Sequence, residues 1–167
     1  MAGLTTDVDI SPMEPGDWPG VAAVYAEGIR TGAATFETEV PSWERWDRDH
    51  LDDHRLVARS GGEVIGWAAL SRVSIREVYR GVAEASVYVG EGARGSGVGE
   101  ALLDALVASA EAGGIWTVEA VVFPENEASV AMLEACGFRV VGRRERLGER
   151  EGRWRDVLLL ERRSAEP

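Results

Sequence analysis

Lysine is absent from this chain of 167 residues: all 18 basic side chains are arginine. Without lysine there is no Schiff-base amine and no phosphate-loop lysine, which removes two large groups of enzymes. The all-arginine usage itself is a composition effect. Positive charge is also scarce, with 29 carboxylates and a formal charge of −11. A nucleic-acid binder needs a basic surface to displace counterions, and an anionic membrane makes the same demand, so both partners are excluded. Cysteine is limited to Cys136, which cannot form an internal disulfide; a reducing compartment, the cytoplasm, is expected. Residues Met1 to Ile10 lack the basic and apolar regions of a signal peptide, and no apolar run approaches the ~20 residues that span a bilayer. The two histidines, His50 and His54, are four apart with no third ligand signal, so a solvated helix face is expected and no metal site. No repeat or low-complexity tract interrupts residues 1–167, which are expected to form one domain.

The apolar pattern then divides the chain into short elements. Val8 and Ile10 alternate with Asp9 as in a strand, and Glu14 to Asp17 form a turn ending in an N-cap. Val21, Val24, Tyr25 and Ile29 keep helical spacing. A loop of small residues runs from Thr31 to Thr35 and ends at Phe36. Pro41-Ser42 opens a second helix, with Trp43 and Trp46 facing the core or a pocket. Leu56 to Ala58 and Val64 to Ala68 flank Ser60-Gly61-Gly62-Glu63 as a hairpin. A fourth strand spans Ala83 to Val89, followed by a glycine-rich loop, Gly90 to Gly99, and a helix carrying Leu102, Ala105, Leu106 and Ala110 that stops at Gly113-Gly114. Further on come a strand from Val118 to Phe123, a short helix from Ser129 to Ala135, and strands around Val140-Val141 and Val157 to Leu160 flanking a charged turn. This order predicts an α/β (mixed α+β) domain with helices on both faces of one sheet.

Three features can carry chemistry. Arg94-Gly95-Ser96-Gly97-Val98-Gly99 lies between a strand and a helix, where backbone N–H groups can hold a pyrophosphate if no side chain blocks its approach. Glycine at 97 and 99 leaves that approach open, and Arg94 adds charge; a plain flexible turn is the competing reading. Glu84 opens a strand among apolar neighbours, where desolvation would raise its pKa and suit it to accept a proton. Glu119 occupies a similar place on another strand, and the pattern alone does not choose between them. Asn126 to Phe138 forms a capped short helix, in which Cys136 is a small buried hydrophobe rather than a nucleophile.

In this order the three features resemble a GNAT-family N-acetyltransferase over nearly the whole chain, and the phosphinothricin/methionine sulfoximine acetyltransferase branch in particular. The closer resemblance lies in Ala34 to Glu39, Tyr79 to Val89, Asn126 to Val130 and Gly152 to Val157. It implies the acyl-CoA N-acyltransferase fold, a central twisted mixed sheet with helices on both faces. It implies acetyl-CoA as co-substrate, held by Arg94, Gly95, Ser96, Gly97, Val98, Gly99, Asn126 and Ser129 and by the backbone of Val87, Tyr88 and Val89. Transfer would be to the α-amino group of a small amino-acid-like substrate by direct attack, with Glu84 as general base. Glu119 falls where the branch usually has an apolar residue.

Phe36, Arg76, Tyr79 and Arg150 would contact the substrate, the arginines through its carboxylate. Other acceptors, a protein N-terminus or a polyamine, are the alternative, as is an acyl-CoA-binding module with weak catalysis. Leu133 stands where the family has a tyrosine or histidine that protonates the departing thiolate, leaving water, Tyr88 or an unprotonated thiolate. A homodimer is implied as well. Residues 139–167 hold nine arginines and six carboxylates, against nine and 23 before them, so this tail is expected to frame an anionic acceptor site.

Overall fold

The computed structural model describes residues 7–165, so Met1 to Thr6, part of the segment examined for a signal peptide, and Glu166 and Pro167 lie outside it. Seven strands, β1 (Val8–Pro12), β2 (Leu56–Ser60), β3 (Glu63–Arg72), β4 (Val82–Val89), β5 (Thr117–Val122), β6 (Arg139–Arg150) and β7 (Arg153–Arg163), form one sheet in the order β1-β2-β3-β4-β5-β7-β6. β4 and β5 are parallel and every other neighbouring pair is antiparallel. A parallel pair needs a crossover, and α3 (Val98–Ala112) supplies it.

Both faces of the sheet are covered, and the strands record it residue by residue. Val57, Trp67 and Ala69 belong to the core under α1 (Trp18–Arg30) and α2 (Trp43–Asp49). Ala58, Ala68 and Leu70 belong to the core under α3 and α4 (Glu127–Ala135). Alternating side chains buried on opposite faces make Trp67 to Leu70 a continuous apolar run. On the α1 face Trp67, Tyr25 and Tyr88 cluster face to face, the Trp67 ring centroid 5.4 and 4.9 Å from the two tyrosines and these 4.8 Å from each other. Trp46 is buried there, as expected, with His50 stacked on it at 4.2 Å. His50 Nδ1 lies 2.7 Å from the Trp46 carbonyl, whereas His54 Nδ1 meets the Ser109 hydroxyl; the two rings serve separate contacts rather than one solvated face.

Two elements differ from expectation. The final strands are far longer than their apolar cores, because β6 and β7 form a hairpin that runs on past the core. β6 is exposed at most positions and so carries charge where a turn is expected, while Arg150 and Arg155 reach the segment after α1. Its true turn is Glu151-Gly152, both at positive φ (50° and 77°), the geometry a two-residue hairpin requires. The last helix begins at Glu127 rather than Ser129, because the Asn126 side chain caps it by accepting the Ser129 N–H at 3.2 Å.

Trp67 is 1 % exposed and joins the aromatic stack to the sheet, so Trp67→Ala should lower unfolding free energy by about 3–5 kcal/mol. Denaturant titration checks this, with the exposed Ile75→Ala as control, expected within about 0.5 kcal/mol of wild type.

Candidate active site

The pairing of β4 with β5 stops early. It runs Val82↔Thr117, Ala83↔Val118, Glu84↔Glu119 and no further, although β4 continues to Val89 beside β3 and β5 to Val122 beside β7. Past Glu84 the strands part, and the gap is hollow. Strand backbone alternates sides, and the Gly90 N–H reaches β3 at the Ile65 carbonyl (2.7 Å), so the N–H groups of Val87 and Val89 turn into the gap.

Two cavities share this gap. One, about 550 Å3, is lined by Arg94, Gly95, Gly97 and Gly99. The other, about 340 Å3, is lined by Glu84, Ser71, Tyr25, Phe36 and Glu37. Ala34, Val87, Tyr88, Asn126, Ser129 and Met132 line both, so the chambers adjoin along the parted strands.

The glycine-rich loop suits an anion for local reasons. Gly95 and Gly97 take positive φ (75° and 86°), which aims successive N–H groups outward, and a Cβ at either would meet nothing within 4 Å. The first intrahelical bond of α3 is Ala101 N–H to the Gly97 carbonyl, so the N–H groups of Val98, Gly99 and Glu100 are left for an external acceptor. Arg94 donates through Nε to the Val89 carbonyl (3.2 Å), which holds its guanidinium over the loop. Ser96 and Val98 do not line the cavity: the Ser96 hydroxyl donates to the Ala93 carbonyl, and the Val98 side chain is buried in the α3 core.

At the other end Glu84 is half-buried, and its carboxyl is raised above the ordinary glutamate value by burial and then by the charge of Glu119. Leu133 is 3 % exposed and closes one side of the same chamber. Tyr88 is pushed above the ordinary tyrosine value by burial and by Tyr25, with Thr35 also against its hydroxyl. Cys136 lies on neither lining; burial and Asp104 push its thiol up to about 11, so it is no nucleophile.

A loop crosses the gap and makes it an enclosure. The Ile29 carbonyl accepts from Arg150 Nη2 (3.2 Å), the Gly32 carbonyl from Arg155 Nη1 (3.2 Å) and the Ala33 carbonyl from Asn126 Nδ2 (3.3 Å). Phe36 then packs edge-on against Phe123 at 4.9 Å, and the Arg155 guanidinium lies 3.9 Å from that Phe123 ring. Thr35, Glu37 and Ser71 line the chamber with Glu84, and Arg155 braces the loop over it; sequence reasoning singles out none of the four. Only the fold brings Thr35, Glu37 and Ser71 beside Glu84; Thr35, Glu37 and Arg155 lie in segments that carry the resemblance, but nothing in their local pattern marks them individually.

Three of the four expected substrate contacts lie elsewhere. Arg150 is 11 % exposed and holds the loop from behind, outside both linings. Arg76 and Tyr79 stand on an exposed segment between β3 and β4, the guanidinium 5.3 Å over the phenol ring. Phe36 alone lines the chamber. The arginines of the tail are largely engaged in pairs, Arg139 with Glu161, Arg143 with Asp156, Arg155 with Glu125 and Arg162 with Glu111. The first two brace the hairpin and the last two tie β7 to the β5–α4 connection and to α3; among the described residues no arginine lines the Glu84 chamber, which corrects the expectation of an arginine-framed pocket.

A mixed sheet with one parted parallel pair, a glycine loop on a helix N-terminus and a half-buried carboxylate come together here, and the sequence profile of the acetyltransferase (GNAT) family matches residues 24–138. The chain belongs to that family and is an N-acetyltransferase. It is 38 % identical over 154 residues to a phosphinothricin N-acetyltransferase of Alcaligenes faecalis, covering 87 % of this chain and 77 % of that protein. It is 32 % identical over 151 residues to an L-methionine sulfoximine/L-methionine sulfone acetyltransferase of Pseudomonas aeruginosa, covering 87 % and 88 %. Its fold matches, at TM-score 0.84 and 30 % identity, the crystal structure of a GNAT superfamily phosphinothricin acetyltransferase from Sinorhizobium meliloti in complex with acetyl-CoA, covering 93 % and 88 %.

Arg150→Ala removes a largely buried side chain and its charge-assisted hydrogen bond to the Ile29 carbonyl, and should cost about 1–3 kcal/mol of stability. Arg76→Ala should change it by less than about 0.5 kcal/mol. Chemical denaturation measures both, and equal stabilities would return Arg150 to the substrate contacts.

Proposed function

We propose that this chain transfers the acetyl group of acetyl-CoA to the α-amino group of a small amino-acid-like acceptor, of phosphinothricin, methionine sulfoximine or methionine sulfone type, by direct attack within a ternary complex. The observation that carries the reading is the pair of adjoining chambers, one ending in an anion-suited loop and the other in a half-buried carboxylate, meeting beside Val87 and Tyr88. The named activities of the two relatives support the acceptor class.

The residues present fit the co-substrate. Its pyrophosphate would be held by the N–H groups from Gly95 to Glu100 and by Arg94, and Asn126 and Ser129 lie along the path between the chambers. Bound there, acetyl-CoA supplies the activated acetyl group. Glu84 accepts a proton from the acceptor ammonium, freeing the nitrogen lone pair. The N–H groups of Val87 and Val89 donate to the thioester oxygen as negative charge builds on it. Holding both reactants in adjoining chambers supplies much of the rate without a covalent enzyme intermediate. Leu133 cannot donate a proton, and Tyr88, with its raised pKa, is a weak donor; the sulfur leaves as a thiolate, a tolerable leaving group near neutral pH.

Phe36 is the apolar wall of the acceptor chamber. Arg76 and Tyr79, on the exposed segment between β3 and β4, are proposed to meet the acceptor carboxylate, and Arg150 to act through the loop it braces. The whole chain is proposed to work as one domain, as a homodimer in the cytoplasm. Exposed apolar side chains on the β6–β7 hairpin, Val141, Leu147 and Trp154, support self-association.

A thiol-release assay with acetyl-CoA and the three acceptors should show turnover on at least one. Binding of acetyl-CoA without turnover on any of them, or on a polyamine or a peptide N-terminus, would make the protein a binding module. Glu84→Gln should lower turnover by roughly 100-fold or more and abolish the acid limb of the pH profile, which in wild type lies above the ordinary glutamate value of 4.5. Gly97→Val should instead raise the KM for acetyl-CoA, since it strains a left-handed residue and places a side chain over the loop.

A further inference from the structure

Glu84 has an acidic neighbour that the reaction as proposed does not use. In the sheet register Ser71 of β3, Glu84 of β4, Glu119 of β5 and Glu161 of β7 stand abreast, and paired residues point to the same face. Adjacent strands lie about 4.8 Å apart, so the Glu84 and Glu119 carboxylates are neighbours at the last rung before the strands part. Glu161 is paired with Arg139, which offsets its charge. Burial and then the Glu161 charge raise the Glu119 carboxyl above the ordinary glutamate value, and Arg144 of β6 opposes them.

Resting on the reading of Glu84 as the base, we propose that Glu119 is a positioning residue for the proton transfer, holding a second negative charge against Glu84. Three observations carry this. The chamber around Glu84 contains one other charged side chain, Glu37, which lies within 3.2 Å of Arg45 and is thereby offset. Among the described residues no cation lines that chamber to lower the basicity of Glu84. Its remaining neighbours, Ser71 from β3 and Tyr25 and Tyr88 from the α1 side, are uncharged at neutral pH.

Burial alone would make Glu84 a better proton acceptor, and the Glu119 charge adds to burial in the same direction. An acceptor ammonium entering the chamber meets the Glu84 carboxylate, with the Glu119 charge on the neighbouring strand beside it. One N–H proton passes to a Glu84 oxygen, the N–H electron pair stays on nitrogen as the nucleophile, and the carboxylate pair falls from two negative charges to one. Mutual repulsion within the pair is relieved by that step, so it favours deprotonation of the amine.

The test is the pH dependence of kcat/KM for the acceptor in wild type, Glu119→Gln, Glu119→Asp and Glu84→Gln. In Glu119→Gln the acid limb should move to lower pH by roughly half a unit to one unit, and turnover at neutral pH should fall a few-fold, since a weaker base transfers the proton less readily. The KM for acetyl-CoA should be unchanged. Glu119→Asp, which keeps the charge, should keep the limb near the wild-type position. Should Glu119→Gln fail to fold, wild type decides. Glu119 is partly exposed, so raising ionic strength should screen its charge and move the limb in the same direction.

A limb that stays in place in Glu119→Gln, or in folded wild type across salt concentrations, overturns the role of Glu119. A wild-type limb that survives in Glu84→Gln overturns the base assignment itself, and this inference with it.

Discussion

The unfinished pairing of β4 with β5 is the constraint on which the rest of the site depends. Three rungs of parallel ladder fix the two strands at one end, and each strand then follows its other neighbour. The parted backbone leaves donors without sheet partners, an arrangement that is costly when buried and unoccupied. It also gives them a fixed direction. Everything around the gap serves to hold it open and closed off: α3 crosses from one strand to the other, the glycine loop caps one end, and the segment after α1 bridges the top.

That bridge explains where two of the tail's arginines go. With 29 carboxylates against 18 arginines, arginine could be expected to gather at an anionic ligand. Instead Arg150 and Arg155 donate to the Ile29 and Gly32 carbonyls, and others pair across the hairpin and with α3. Arginine suits this work because its planar group reaches two partners at once and keeps its charge when largely buried. Arg94 remains as the arginine lining the gap. The acidic end is left to Glu84 and Glu119, so the enclosure is polarised from the glycine loop to the base.

Much of this was legible in the sequence where function and local pattern coincide. The glycine loop declares itself because a strand, two small residues and an amphipathic helix follow one another within a few positions. The α1 helix, the 60–63 hairpin and Trp46 in the core follow from periodicity and turn chemistry, and the structure has them where expected. The β6–β7 hairpin was obscured, since β6 is exposed at most of its positions and loses the alternation that marks a strand, and its arginines and glutamates read as a turn. Arg150 and Arg155 carry no sign of their targets, which lie 121 and 123 residues away along the chain. Glu84 and Glu119 look alike in isolation, and their being neighbours is a matter of register that only the folded sheet displays.

A crystal structure of the protein with acetyl-CoA and methionine sulfone tests the central claim most directly. The account predicts the thioester between the parted ends of β4 and β5, its oxygen within hydrogen-bond distance of the Val87 or Val89 N–H. It places the pyrophosphate on the 94–100 loop and the acceptor amine beside Glu84. A thioester bound outside the gap, or an acceptor nitrogen out of reach of Glu84 both directly and through one water, would contradict it.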